Sequence, residues 1–208
     1  ATPENQYLIN STKVSFTIDT HASGKPAVKV IMDGSKEYQL PNYKGAAQLT
    51  KIDAKTKMGL AGAQFEVYNA SNEKVSSDQP IVSDNKGKVS IDHLSPWSYY
   101  FKEVKAPEGY LINSTLVHFN IDTRSNGAPD RVITQPDGKP LELEDYKGES
   151  ELRKISEDGT KLAGAVFELV DKDGNKLPGY EHLVSDPEGK DTASDLAPGT
   201  YQFVEIEA

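Results

Sequence analysis

Residues 7–20, YLINSTKVSFTIDT, recur as 110–123, YLINSTLVHFNIDT, with 11 of 14 positions identical. Self-similarity at a fixed period constrains a fold more than any local motif, because each copy is one structural unit that meets its neighbours in a repeated way. The offset of about 103 residues persists along the chain. LPNYKG at 40–45 matches LEDYKG at 143–148, KIDAKTKMGLAGAQFEVYN from Lys51 matches KISEDGTKLAGAVFELVD from Lys154, and SPWSYYFKEVKA matches the C-terminal APGTYQFVEIEA.

Within one unit, short alternating runs such as STLVHFNID, AGAQFEVYN and SYYFKEV are separated by turn-formers such as DNKGK, SPW, APEG and DGNK. That pattern predicts an all-β sandwich. The best helical stretch, AKTKMGLAGAQ, is broken by its glycines and runs into F-E-V alternation, so it reads as a turn plus a strand. A complete unit spans 45–146, flanked by the back half of one unit (1–44) and the front half of another (147–208). Half a sandwich cannot bury its core. The expectation is therefore that 147–208 and 1–44, which together hold every segment of one unit, complement each other as a second sandwich, within one molecule or head-to-tail between molecules.

Composition narrows the partners. A formal charge of -9 with no basic patch disfavours nucleic acid and anionic membranes. No stretch approaches 18 consecutive apolar residues, and ATPENQYLIN lacks the basic and apolar regions of a signal peptide. The chain has no Cys, which removes disulfides, thiolate-zinc sites and thiol catalysis together. His21, His93, His118 and His182 show no metal-ligand spacing, and DKDGN at 171–175 has Gly174 at the wrong position for a calcium loop, so a hairpin turn is expected there. No metal or cofactor is expected.

The inward faces of the strands carry the chemistry. Residues i and i+2 of a strand share a face, so Leu49 points with Lys51 and Leu152 with Lys154. Leu141 and Leu143 point with Asp145, and Tyr38 and Leu40 with Asn42. Tyr99 and Phe101 point with Glu103, and Tyr201 and Phe203 with Glu205. Each unit thus sends one Lys, one Glu and one Asp or Asn toward the core. A lone buried charge costs several kcal/mol, so the three must be neighbours. Desolvation lowers the pKa of a buried amine and raises that of a buried carboxyl. A neutral amine beside a protonated acid is the state in which a lysine attacks a side-chain carbonyl, giving an isopeptide link with loss of water from Asp or ammonia from Asn. The alternative for the same residues is a non-covalent buried ion triad.

LTKIDAKTKMGLAGAQFEV, followed by YYFKEVKAPEGY and closed by LELEDYKG, resembles the B-type repeat domains (CnaB type) of Gram-positive collagen-adhesin-like surface proteins and pilins, over essentially the whole chain. The resemblance implies Ig-like or prealbumin-like β-sandwich repeats and a role for each residue. In the middle unit Lys51 is the nucleophile, Asp145 the acceptor and Glu103 the catalytic proton shuttle; in the composite unit the roles fall on Lys154, Asn42 and Glu205. The A-P-x-G-Y segment is split between VEIEA and ATPENQY in the composite unit and lacks its glycine.

The function this implies is a stalk or shaft module of a cell-surface adhesin or pilus, outside a Gram-positive cell, with neighbouring repeats of the same protein as partners. The alternative is an adhesive module for a host matrix protein or glycan. A turnover enzyme is not expected, since the reactive set consumes itself once. The NST triplets at Asn10 and Asn113 read as ordinary turn residues, and Trp97 as a packing residue ahead of a strand.

Overall fold

A computed structural model describes residues 6–18, 32–128 and 131–208. His21 lies outside the described residues. In the described part every regular element is a strand. The N-terminal region holds β1 (Ile9–Asn10), β2 (Met32–Asp33) and β3 (Lys36–Glu37). The middle unit holds β4 (Gly45–Asp53), β5 (Gln64–Asn69), β6 (Ile81–Val82), β7 (Lys88–Leu94), β8 (Trp97–Lys105), β9 (Val117–Ile121), β10 (Arg124–Ser125), β11 (Arg131–Val132) and β12 (Glu142–Asp145). The C-terminal unit holds β13 (Gly148–Arg153), β14 (Val166–Asp171), β15 (Leu183–Val184), β16 (Lys190–Leu196) and β17 (Tyr201–Glu207).

Two four-stranded sheets form the middle unit. In one, β4 pairs antiparallel with β7 and, on its other edge, parallel with β11 and then β12; the second runs β6-β5-β8-β9. Strict alternation builds the core between them. Phe65 and Val67 on β5, Tyr99 and Phe101 on β8, and Val117, Phe119 and Ile121 on β9 are all buried, while their neighbours face out. Tyr99 sits opposite Phe119 with ring centroids 5.6 Å apart, and Phe101 lies 5.0 Å from Phe119, a cross-strand aromatic set that fastens β8 to β9.

The C-terminal unit repeats the first half of this plan. β13 pairs with β16 as β4 does with β7, and β15-β14-β17 repeats β6-β5-β8, including the same bulge in the last strand. Counterparts of β9, β11 and β12 are absent from 147–208. Its core is correspondingly small: Leu169, Ala193 and Leu196 are buried, whereas Tyr201 and Phe203 are only half-buried. DKDGN does form a turn, with Gly174 N–H donating to Asp171 O at 3.0 Å.

Among the described residues, the expected complementation does not form within this single chain: no strand pairing and no shared core joins 1–44 to 147–208. The N-terminal segment instead docks on the middle unit, where Leu8 enters the main core and Tyr43 packs against it. The physical reason is adjacency, because Tyr43 leads directly into β4 and keeps the segment beside the unit it precedes.

Candidate functional site

β4 and β12 are parallel neighbours, and their register sets Lys51 beside Leu143 and Asp53 beside Asp145. β8 comes from the opposite sheet. Between them Lys51, Glu103 and Asp145 meet at one end of the core, 0%, 3% and 0% exposed. Lys51 Nζ touches Asp145 Oδ1, lies 3.7 Å from Glu103 Oε1, and donates to Leu143 O at 3.1 Å.

Local sequence explains why the lysine can lie so deep. The DNKGK turn brings Gly87 against its backbone: Lys51 N–H donates to Gly87 O at 2.7 Å, and Leu60 N–H donates to Lys51 O at 2.8 Å. Gly87 has φ +74, and a Cβ there would lie 2.1 Å from Lys51 O, so only glycine allows this approach. On the other side, β8 carries an extra residue, Val104, in a bulge directly after Glu103, opposite Gln64 and Phe65. Bulges of this kind re-aim the adjoining side chain.

Burial pushes the Glu103 carboxyl up to about 7, against the Asn113 amide and the charge of Lys51, which favour its ionised form. Burial likewise raises Asp145 above the ordinary carboxylate range, against its contact with Lys51. With both acids raised, the cluster readily keeps one carboxyl protonated beside the amine–carboxyl contact. Acid, carbonyl and amine then lie together in a dry interior, which is the arrangement an amide condensation requires. Holding reactants this way is worth effective molarities of order 10⁵ M or more.

Three further residues to which the sequence analysis gave no part in the site support the cluster, among them Asn113, there read as an ordinary turn residue. Asn113 N–H donates to Glu103 Oε2 at 2.7 Å, and its side-chain amide donates to Glu144 O at 2.6 Å, so one residue orients the acid and the strand that carries Asp145. Tyr110 Oη donates to Asp53 Oδ2 at 2.7 Å, tying the segment after β8 to the end of β4. The Asp53 carboxylate also accepts the Thr56 and Lys55 amides, and with the Thr56 amide as the largest influence its pKa falls well below the usual range. Burial, with Asp53 assisting, pushes the Tyr110 hydroxyl up to about 12. The sequence signal was present: Asn10 and Asn113, and Tyr7 and Tyr110, fall in the most closely repeated block of the chain.

The second set is only partly assembled. Lys154 Nζ donates to Glu205 Oε2 at 2.7 Å, with the two side chains 26% and 33% exposed. Gly189 repeats the role of Gly87, with φ +70 and Lys154 N–H donating to its carbonyl at 2.6 Å. Asn42 is exposed and lines a cavity with Tyr7, Gly45 and Asp92 at the N-terminal end of the middle unit. The structure thus brings Lys154 and Glu205 together and leaves Asn42 apart from them, since the segment bearing Asn42 is held on the middle unit. His93, His118 and His182 are exposed.

Known proteins place this architecture. The T6 trypsin-resistant surface protein of Streptococcus pyogenes is 37% identical over 81 residues, which is 38% of this chain and 14% of that protein. Colossin-A of Dictyostelium discoideum is 25% identical over 153 residues, 68% of this chain but 1% of that protein. The chain thus spans a small part of either relative. Among solved structures, the Bacillus anthracis TIE protein shares 26% identity at a TM-score of 0.49, over 80% of this chain and 29% of that one. BcpA, the major pilin subunit of Bacillus cereus, shares 16% identity at a TM-score of 0.40, over 79% of this chain and 88% of that one. The family model of the SpaA prealbumin-like fold domain matches residues 45–135 and again 148–208, well over half of the chain. With both units matched, the chain belongs to the SpaA prealbumin-like fold domain family.

Proposed function

We propose that the chain is a piece of a Gram-positive surface stalk or pilus shaft, built from tandem sandwich units and braced by an amide bond between Lys51 and Asp145. The observation that carries this reading is the fully buried Lys51–Glu103–Asp145 cluster joining the first and last strands of one unit. The T6 relative is named as a surface protein, and its structure is described as that of a backbone pilin, in keeping with such a role.

The step is a condensation. Proton transfer within the Lys51–Asp145 contact gives an amine and a neutral carboxylic acid; the amine attacks Asp145 Cγ, Glu103 gives its proton to the departing hydroxyl, and the proton leaving the amine nitrogen returns to Glu103. One C–N bond forms, one C–O bond breaks, and one water leaves. The residue set is spent after one turnover, so it acts as a brace and not as an enzyme. Because β4 and β12 are adjacent and parallel, the bond would carry tension between the ends of the unit without loading its sheets. It needs no oxidant, which suits a chain without Cys on a cell surface.

The exposed faces point to the neighbours. Phe16, Ile18 and Leu40 are 60%, 51% and 49% exposed, whereas their counterparts Phe119, Ile121 and Leu143 in the middle unit are 0%, 5% and 3% exposed. The open side of 147–208 lacks strands equivalent to those that carry these residues. A second copy, donating the segment that holds Asn42, would cover it and bring Asn42 to Lys154 and Glu205 in a head-to-tail chain.

Intact mass under denaturing conditions tests both readings. A loss of one water per chain is expected for the middle bond, and an unshifted mass would end the covalent reading. A ladder of oligomers with loss of ammonia per junction is expected for head-to-tail bonding, and migration as a single monomer band would exclude it.

A further inference from the structure

Leu8 precedes the middle unit in sequence, yet it is 2% exposed and belongs to the same buried cluster as Leu94, Phe119 and Ile121. Its N–H donates to Tyr43 O at 2.8 Å, which pins it to the strand end of its own repeat. The next alternate amides reach into the middle unit. Ile9 N–H donates to Thr123 O at 2.8 Å and Ser11 N–H to Ser125 O at 3.0 Å, so that β1 pairs in parallel with β10. Lys44 Nζ stands 5.3 Å from the centroid of the Tyr7 ring.

The same arrangement recurs 103 residues later. Leu111 N–H donates to Tyr146 O at 2.9 Å, and Lys147 Nζ stands 5.3 Å from the Tyr110 centroid. Asn10 donates its side-chain amide to Pro41 O at 2.7 Å, as Asn113 does to Glu144 O at 2.6 Å. Leu111 lines a cavity of about 350 Å³ at the mouth of the C-terminal unit, together with Gly148, Leu196, Tyr201 and Phe203. Here it stays 43% exposed. The receiving unit accounts for the difference, because Ile121, which shares the core cluster of the first leucine, and Thr123 and Ser125, which accept the Ile9 and Ser11 amides, have no counterpart within 147–208.

We propose that the Tyr-Leu-Ile-Asn segment is the joint between successive repeats: its leucine plugs the core of the following repeat, and its asparagine stays behind in its own. The partner of this surface is the next copy of the same unit. The plug gives two repeats a shared piece of core, so their relative orientation is set by packing and not by linker stiffness. Only Ile112 separates the plug Leu111 from Asn113, whose amide orients Glu103. Tension crossing the joint is thereby delivered beside the Lys51–Asp145 pair.

Amide hydrogen exchange on the full 208-residue chain, with melting of the Leu8→Ala variant, tests the joint. Ile9 and Ser11 amides are expected to exchange at least about 100-fold more slowly than in an unstructured peptide, as hydrogen-bonded amides of a packed segment do. Leu8→Ala is expected to lower the melting temperature of the middle unit by about 5–10 °C, although residue 8 lies outside that unit in sequence. Met58→Ala, at a residue 70% exposed and outside the joint, is the control that should leave it unchanged. Free exchange at Ile9 and Ser11, or a Leu8→Ala chain that melts like the parent, would overturn the joint; if that variant does not fold, exchange in the parent chain decides. The result is separable from the cross-link, whose failure would show as an unshifted mass and leave these amides protected.

Discussion

The middle and C-terminal units carry the same lysine, the same glutamate and the same glycine under the lysine backbone, yet one pair is sealed and the other open. Lys51 is wholly buried and meets two carboxyls, whereas the Lys154 side chain is a quarter exposed and, among the described residues, meets one carboxyl, that of Glu205. The difference lies in the covering strands. β12 supplies Asp145 and, with β9, shuts out water, and 147–208 has neither. In the proposed function, the reactivity of such a site would be a property of closure, because a dry interior raises the acids and holds the amine against a carboxyl group.

The comparison breaks most visibly at the buried lysine. Replacing Lys51 with Ala should abolish the water loss expected in the intact mass and release a loop of about 94 residues, at a cost of about 4–5 kcal/mol in the loop-entropy description, read by urea unfolding. Glu103→Ala should leave the fold intact by circular dichroism but slow bond formation by about 10²–10⁴-fold, the usual span for a lost acid–base group. Followed by mass after folding is initiated, a bond that forms at the parent rate would show that Glu103 has no part in it.

Asn113→Ala should slow the same step by about tenfold, equivalent to about 1.4 kcal/mol, because the tie to the Glu144 carbonyl is lost and the Glu103 carboxyl is held less firmly. Lowering of the Glu103 pH midpoint would contradict this assignment. In the parent chain the bonding rate should fall as pH rises through about 7, since the protonated Glu103 is the active form. The linkage has the same sign for stability. The folded pKa lies above the ordinary 4.5, so the folded state holds more protons between those values, and an unbonded middle unit should lose stability as pH rises from about 4.5 to about 7. Lys154→Ala should have the smallest effect, below about 1 kcal/mol in the monomer, because its pair with Glu205 is solvent-accessible. A loss as large as that of Lys51→Ala would mean that the C-terminal site is closed in solution.

Much of the middle site could be read from alternation alone. The i, i+2 rule put Lys51, Glu103 and Asp145 on inward faces, since a strand offers a side chain only two directions. The same rule treated Lys154, Glu205 and Asn42 alike and could not see that Asn42 stays with the unit it precedes. Nor did it single out Asn113, whose part combines a backbone N–H that every residue but proline possesses with a side-chain amide whose partner, the Glu144 carbonyl, is distant in sequence. Repeat period, strand alternation and the glycines of the turns are local properties, and the amino-acid order determined them. Which copy of a segment covers which core, and that Leu8 serves the unit after its own, was decided only by the tertiary structure, because burial depends on residues distant in the chain arriving at one place.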